Sequence, residues 1–195
     1  KIFKDRFEMT PKEWKNGGYK EYSKKILLQS QRASQSKANF EDMVPTIVKM
    51  PAIESYYIRN KGYNVNIKET WQKLQTWILT NDITSYKRIA LFHDNPTITP
   101  LNDCQYIGCV VVDDKKEVKS DRLPKFKIAE GVYAKFDLKG KTGDVLPFIH
   151  WVYHEWLPKN EYETTTKPSY AVYNKIDFLD ESNEFDLSFY VSINF

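Results

Sequence analysis

The chain has few cysteines, which could form disulfides, few histidines, which often act in catalysis or bind metals, and few glycines. It contains two cysteines, three histidines and seven glycines in 195 residues. Cys104 and Cys109 stand on one strand-like stretch, and their odd spacing puts them on opposite faces, where they are poorly placed for a disulfide. No run of about 18 apolar residues exists and no signal-peptide pattern opens the chain, so we expect no membrane span. These features favour a reduced, cytoplasmic protein.

The motifs of enzymes that use a nucleophile elbow, a phosphate loop or a dinucleotide fold are also missing. His150 and His154 are four apart on a predicted helix, which is metal-ligand spacing, but no third ligand is evident. Surface or cleft-edge imidazoles are the better interpretation. Glu155 follows His154 directly, and neighbours on a helix point about 100° apart, so the two do not face one target. The sequence therefore predicts no catalytic residue, no metal and no cofactor.

Charge is unevenly distributed along the chain. Residues 1–37 hold ten lysines and arginines against four acidic residues, a net charge of +6. Residues 38–195 carry 19 basic and 22 acidic residues, a net charge of −3. Such a split suggests a basic part that meets nucleic acid, joined to a neutral or acidic body. A solvated basic helix is the alternative, and charge alone leaves both open.

The body reads as one unit used twice. Apolar residues at helical spacing predict a first helix over about 67–80 and a second one ending near Pro158. An extended run precedes each helix, and two more follow it. We expect strands at 44–62, 126–138 and 185–195, with a bulge at Glu130-Gly131. The predicted fold is therefore α+β, a duplicated β-α-β-β unit with an antiparallel sheet and two main helices, preceded by an N-terminal helical segment.

The N-terminal residues resemble a known DNA-binding family. Thr10-Pro11-Lys12-Glu13 forms a capping box ahead of a helix predicted to run to about Leu28. With Phe3 and Phe7 before it and Trp14 after it, the stretch is similar to the closing segment of the AraC-family DNA-binding domain. Glu8 stands where that family usually has glycine. The resemblance implies that both helix-turn-helix motifs are mostly missing, so DNA would be contacted only through that missing domain.

The rest of the chain resembles the gyrase-inhibitor-like effector-binding domain of bacterial transcription regulators. The resemblance lies in the order and spacing of short motifs: 57–62, 94–96, 104–106, 156–158, 168–173 and the final alternating strand. It implies a duplicated β-α-β-β unit with an aromatic ligand cleft between the halves. The predicted organisation is residues 1–29 as the AraC-type remnant, 30–42 as linker and 43–195 as effector-binding domain.

One position departs from this resemblance. The family often has a glutamate that faces cationic ligands from an apolar pocket, and here that position is Ala171. A buried carboxylate is costly unless a cation pairs with it, so its absence weakens selection of cations by this route. Glu155, Asp137 or Glu54 are the candidate substitutes, although each is better read as a solvated surface charge.

Aromatic side chains make up 15 % of the chain, more than a small core requires. Trp151 and Tyr153 lie off the buried stripe of the second helix, so they are the preferred cleft residues. The predicted ligand-binding set is Tyr57, Trp71, Tyr106, Trp151, Glu155, Tyr173 and Phe189.

The predicted function is sensing of a small apolar or aromatic molecule, with cations left open, on behalf of a bacterial transcription regulator. A small-molecule hydrolase of the same fold and a protein-interaction module are the alternatives.

Overall fold

An antiparallel sheet, with two long helical stretches on one of its faces, forms the body of the molecule. The computed structural model describes residues 1–63, 66–113, 118, 122–141, 143–175 and 183–194. The helices are α1 (Ile2–Phe7), α2 (Pro11–Glu13), α3 (Tyr19–Leu27), α4 (Gln31–Ser34), α5 (Asn66–Thr80), α6 (Val145–Trp151) and α7 (Leu157–Lys159). The strands are β1 (Thr46–Met50), β2 (Ile53–Lys61), β3 (Tyr86–Phe92), β4 (Gln105–Val112), β5 (Lys125–Ile128), β6 (Gly131–Lys141), β7 (Glu163–Thr164), β8 (Ser169–Lys175) and β9 (Glu184–Asn194). Two turns that we call π-helical join neighbouring helices: the first, Trp14–Gly18, joins α2 to α3 and is kinked at Asn16 and Gly17, and the second, Val152–Trp156, joins α6 to α7.

The strand order confirms the predicted duplication. The sheet runs β1-β6-β9-β8-β3-β4-β2-β5, and β7 pairs separately with β9. The first half is β2-α5-β3-β4 and the second is β6-α6-β8-β9. They meet where β3 pairs with β8, and the strand neighbours on one side repeat those on the other. A pseudo-twofold axis therefore passes between β3 and β8.

The strand that precedes each half in the sequence pairs with a strand of the other half. The predicted continuous strand 44–62 is wrong, because it breaks at Pro51 into β1 and β2. β1 pairs with β6 of the second half, whereas β5 pairs with β2 of the first. In the second half the predicted bulge at Glu130-Gly131 is likewise a break, between β5 and β6. Proline cannot donate to a strand ladder, which explains the first interruption. The two exchanged strands tie the halves together.

The helices cover one face of the sheet through the apolar stripes that their spacing predicts. Ile67, Trp71, Leu74 and Ile78 of α5 are all buried. The second helical stretch buries Phe148, Ile149, Val152 and Trp156 in the same way. The sequence offers Asn66 or Asn64 as the cap of the first helix; Asn66 is the first residue of α5, and Asn64 lies outside the described residues.

The opposite face of the sheet carries an apolar cluster of its own. It includes Ile89, Ile107, Tyr133, Tyr170 and Tyr190, drawn from both halves of a sheet that curls into a half-barrel. The alternation of apolar and polar residues over 185–195 predicts a half-buried strand, but β9 is buried on both faces along most of its length. Two of its polar residues are covered too, since Ser188 is 9 % exposed and Ser192 is 2 % exposed.

The N-terminal segment is held by the predicted capping box. The Thr10 hydroxyl accepts from the Glu13 amide at 3.3 Å, and Glu13 Oε2 accepts from the Thr10 amide at 2.7 Å. The helix does not continue unbroken to Leu28, because non-helical angles at Asn16 and Gly17 kink the chain. Gly17 takes φ 105°, a conformation that glycine adopts without a Cβ penalty.

Glu8 ends α1 in the left-handed region, with φ 60°. A residue with a Cβ pays roughly 1 kcal/mol for this conformation. We expect Glu8→Gly to raise the free energy of unfolding by about 0.5–1 kcal/mol in urea denaturation. Glu8→Ala is the matched control, because it removes the same exposed contact with Lys25 but keeps the Cβ. Equal stability of the two variants would contradict this explanation.

No helix among the described residues combines the length and the apolar character needed to cross a membrane.

Candidate functional site

The two halves meet over a floor of two alanines. Ala90 of β3 is paired with Ala171 of β8 at the centre of the register that joins the halves. Both alanines are fully buried and belong to the core on the helix-facing side. Because alanine side chains are small, larger side chains from the surrounding elements fill the space above the middle of this face.

Five aromatic residues surround this floor and form what we call the central cluster: Trp71, Phe92, Tyr106, Tyr173 and Phe189. Trp71 Nε1 donates to Tyr106 Oη at 2.8 Å, and the ring centroids of Trp71 and Tyr173 are 6.0 Å apart. Burial, followed by the neighbouring Tyr173, raises the pKa of the Tyr106 hydroxyl. Phe92 lies 6.0 Å from Tyr106 and 5.8 Å from Phe189, measured between ring centroids. Strands of both halves therefore contribute to one aromatic group.

Two further tyrosines adjoin the central cluster. The Tyr63 ring lies 5.9 Å from Tyr106 and its hydroxyl donates to the Asp94 carbonyl at 3.4 Å. Tyr153 of the second π-helical turn lies close to Tyr63 and Ser169. Burial raises the pKa of Tyr63, Tyr106 and Tyr153, so these hydroxyls stay protonated at neutral pH. They can both donate and accept hydrogen bonds with an uncharged molecule.

The central cluster is closed by its own side chains. Trp71 is 1 % exposed, Tyr106 2 % and Tyr173 9 %. A molecule can reach the alanine floor only if some of these rings move aside. Binding there would thus select an arrangement of the halves that differs from the closed one.

The structure brings together four of the seven predicted ligand-binding residues: Trp71, Tyr106, Tyr173 and Phe189. The prediction for Tyr57 is wrong about its place, because Tyr57 packs on Phe126 on the other face of the sheet. Its neighbour Tyr56 is the residue on the helix face, 4.8 Å from Trp77 between ring centroids. Successive residues of a strand point to opposite faces, so one position decides this.

Trp151 and Glu155 lie apart from the four. Trp151 packs on Phe136 and Phe148 and lines a surface pocket beside α3. The Glu155 side chain is 59 % exposed and forms an ion pair with Lys20 at 3.1 Å. The other two acids considered as substitutes, Asp137 and Glu54, are exposed as well.

Sequence reasoning missed Tyr63 and Phe92. One signal for Tyr63 was present, since it follows Gly62, which takes φ 89°. This turn lets the Gly62 and Tyr63 amides donate to the carbonyls of Cys104 and Leu101. The chain after β2 is thereby fixed beside the central cluster.

The second π-helical turn connects the central cluster to the N-terminal segment. Tyr153 lies beside the cluster, whereas the next two residues contact α3. Ser23 of α3 donates to the Thr97 carbonyl of the first half, and its Oγ lies 2.7 Å from His154 Nε2. A hydroxyl has one proton, so the His154 Nε2–H must be the donor to Ser23. Through Ser23, helix α3 is therefore hydrogen-bonded to both halves.

His150 and His154 make this junction sensitive to acid. Burial lowers the pKa of each imidazole to about 4, with His154 and Lys20 respectively as the additional cause. A histidine whose pKa falls on folding stabilises the protein above the unfolded pKa of about 6.5, and this stability is lost as pH falls toward 4.

We expect the free energy of unfolding to fall between pH 6.5 and pH 4, and His154→Gln to reduce the slope by up to about 1.4 kcal/mol per pH unit. The measurement is urea denaturation at several pH values. His93→Gln serves as control because His93 is exposed. Parallel curves for wild type and His154→Gln would contradict the assignment.

Metal-ligand groups and reactive thiols were the other chemistries to consider among the described residues. No group of three His, Cys, Asp or Glu residues placed for a metal ion occurs within the described ranges. Cys104 and Cys109 are free and buried, and burial raises the pKa of both thiols to about 12. Such thiols are poor nucleophiles at neutral pH.

A duplicated half-barrel with an aromatic centre defines a class of small-molecule-binding domains, and sequence comparison identifies the family. A profile of the GyrI-like small molecule binding domain matches residues 43–193. This chain belongs to the GyrI-like family.

Individual proteins agree with this membership. The DNA gyrase inhibitor of Citrobacter koseri is 24 % identical over 129 residues, which cover 65 % of this chain and 82 % of that protein. The EcmrR–DNA complex in EcmrR-RPo, solved by cryo-EM, has a TM-score of 0.62 at 15 % identity, covering 94 % of this chain and 68 % of EcmrR. SAV2435 bound to tetraphenylphosphonium has a TM-score of 0.51 at 11 % identity, covering 78 % and 94 %. At these identities the two structures show a shared fold.

Proposed function

We propose that this chain senses a small apolar or aromatic molecule, which binds over Ala90 and Ala171 between the two halves. The observation that carries the proposal is the central cluster, where both halves contribute rings and hydroxyls around a floor of two methyl groups. Rings supply apolar contact, and protonated tyrosines supply orientation. Membership of a family of small-molecule-binding domains supports the same role.

We infer that the sensor belongs to an AraC-type regulator, in which 1–29 closes the DNA-binding domain, 30–42 links and 43–195 senses. Three features of the N-terminal segment support this. The capping box at Thr10 is formed, Glu8 takes the left-handed conformation where the AraC family has glycine, and Trp14 packs against Phe3 and Phe7. The helix-turn-helix motifs that would enter the major groove precede this segment in the AraC family, so DNA binding is assigned to them.

The second π-helical turn offers a route from ligand to DNA-binding domain. A ligand that displaces Tyr153 also shifts His154 and Glu155, which hold Ser23 and Lys20 of α3. A ligand changes the position of α3 only if it binds one arrangement better than the other. The linker transmits such a shift directly, because Phe40 is buried against Phe148 and Ser36 donates to Asp144 at 2.7 Å.

The proposal includes no catalytic role. A hydrolase of this fold needs an acid in the cleft, and Ala171 takes the place of the family glutamate. The candidate substitutes Glu155, Asp137 and Glu54 are all exposed, and Glu155 is in contact with Lys20. Glu155→Ala should therefore not abolish ligand binding in the central cluster.

The test is a thermal-shift and calorimetric titration of the whole chain with 1-naphthol and 4-phenylphenol as neutral aromatics and tetraphenylphosphonium as a lipophilic cation. We expect saturable binding of a neutral aromatic and weaker binding of the cation, because Ala171 supplies no charge. Tyr106→Phe and Tyr173→Phe should weaken binding about 5- to 10-fold, since each removes one hydroxyl.

Tyr57→Phe is the matched control and should change nothing, because Tyr57 lies on the other face. Loss of binding in Tyr57→Phe with retention in Tyr106→Phe would refute the assignment. Binding of a partner protein without any small-molecule binding would favour the interaction module.

A further inference from the structure

A second pocket lies outside the central cluster, at the junction of the N-terminal helices, the linker and the second helix. We call it the junction pocket, and its walls include Tyr19, Lys20, Met43, Trp151, Glu155 and Tyr162. Its volume of about 1020 Å³ is of the size that accommodates drug-sized molecules. We propose that the junction pocket binds an aromatic molecule that carries both a positive and a negative group.

The walls favour a flat apolar body. Trp156 and Tyr162 stack with ring centroids 5.4 Å apart and an interplanar angle of 20°, and both line the pocket. Trp151 lines it as well and is held from behind by Phe40 and Phe136. Val44 adds an apolar side chain that is 89 % exposed. A ring lying against these surfaces would cover apolar area that the folded chain leaves in water.

The charges favour a zwitterionic head group. Lys20 Nζ and Glu155 Oε1 face each other at 3.1 Å at the pocket wall, with side chains 44 % and 59 % exposed. An ion pair this exposed contributes little to stability, so exchanging it is inexpensive. A ligand with one charge would take one partner and leave the other alone. A ligand with both charges can place its carboxylate on Lys20 and its ammonium on Glu155 at the same time.

Three more charged residues line the pocket, namely Glu41, Asp42 and Lys159, and all are exposed. With Lys20 and Glu155 included, acidic residues of the wall exceed basic ones by one. A simple aromatic cation is therefore the strongest competitor for the site, and an aromatic anion is the weakest. This ranking separates the zwitterion hypothesis from general attraction of cations.

A molecule in this pocket would touch α3 and the second helix together. It would thus act on the position of the N-terminal segment directly, without opening the central cluster. The junction pocket would be a second input of the protein, reached without entry into the central cluster.

Three molecules with one indole ring test this proposal: L-tryptophan (zwitterion), tryptamine (cation) and indole-3-propionate (anion). The measurement is isothermal titration calorimetry of the whole chain at pH 7.5 and low salt. We expect L-tryptophan to bind with one site per chain and about five-fold more tightly than either derivative. Lys20→Gln or Glu155→Gln should remove this advantage, and the charge exchange Lys20→Glu with Glu155→Lys should restore it.

Both residues of the pair are at the surface, so these variants should keep the fold. Trp151→Ala should weaken L-tryptophan about ten-fold, whereas Tyr106→Phe should have no effect. The Tyr106 result distinguishes this site from the central cluster, so either proposal can fail alone. The inference is overturned if L-tryptophan gives no saturable heat up to about 10 mM, if tryptamine binds as tightly, or if the charge exchange restores nothing.

Discussion

Ala171→Glu lowers the free energy of unfolding at pH 7 by about 3–5 kcal/mol. The side chain at this position is fully buried, and burying an ionised carboxylate without a cation costs several kcal/mol. The new carboxyl should therefore have a pKa above its usual value of about 4.3. A carboxyl whose pKa rises on folding destabilises the protein increasingly as pH rises above the unfolded value.

Ala171→Gln is the matched control, since it adds similar bulk without a charge. We expect the two variants to have similar stability near pH 4 and to diverge as pH rises toward 8, as measured by urea denaturation. The lipophilic cation tetraphenylphosphonium should stabilise the glutamate variant selectively, because a ligand stabilises the state that binds it. Identical pH profiles for the two variants would mean that water reaches Ala171, contrary to the closed cluster.

Gly108→Val lowers the free energy of unfolding by about 2–4 kcal/mol. A Cβ at Gly108 would lie 2.9 Å from Leu74 Cδ1 and 3.1 Å from Thr70 Cγ2. Leu74 is fully buried, so α5 must shift away from β4 to make room. Overpacking of this kind typically costs about 1–3 kcal/mol, and the branched side chain of valine adds to it.

Gly131→Val provides the control, because Gly131 is also a strand residue. A Cβ there meets the end of the Lys167 side chain at 2.7 Å, and a lysine ammonium can move aside. We expect a change below about 1 kcal/mol for this variant in the same denaturation experiment. If Gly108→Val were as mild as Gly131→Val, the close seating of α5 would be wrong.

Gly108 also shows where the two halves differ. Ala90 is opposite Gly108 in the first half, and Ala171 is opposite Phe189 in the second. The first helix can therefore approach the sheet closely, whereas a phenylalanine ring occupies the same place under the second helix. This asymmetry gives the central cluster an aromatic wall on one side. No periodicity in the sequence predicts it, since each strand is apolar in either case.

Local pattern was sufficient for the repeated unit and for both helices. The stripes of 67–78 and 148–156 are spaced at helical intervals, and the burial of their members follows from that spacing. Strand partners are set by the whole sheet, so the exchange of β1 and β5 between the halves could not be read from either strand alone.

The candidate site was only partly predictable for a similar reason. Tyr56 and Tyr57 are adjacent, and a shift of one residue in register exchanges their faces. The local sequence does not show which of the two tyrosines faces the helices. The surroundings of Trp151 and Glu155 depend on where α3 packs, and that packing joins parts of the chain that are far apart in sequence. Trp71, Tyr106, Tyr173 and Phe189 lie on elements whose apolar faces were clear, and these four do come together.

The central claim is that a small molecule binds over the alanine floor. We would measure it by NMR on the whole chain with ¹³C-labelled alanine methyl groups, saturated with the neutral aromatic that binds best in titration. The prediction is a set of intermolecular NOEs from the ligand to the methyls of Ala90 and Ala171, with no NOE to Ala33 or Ala52. NOEs to Ala33 alone, or unchanged Ala90 and Ala171 resonances at saturation, would contradict it.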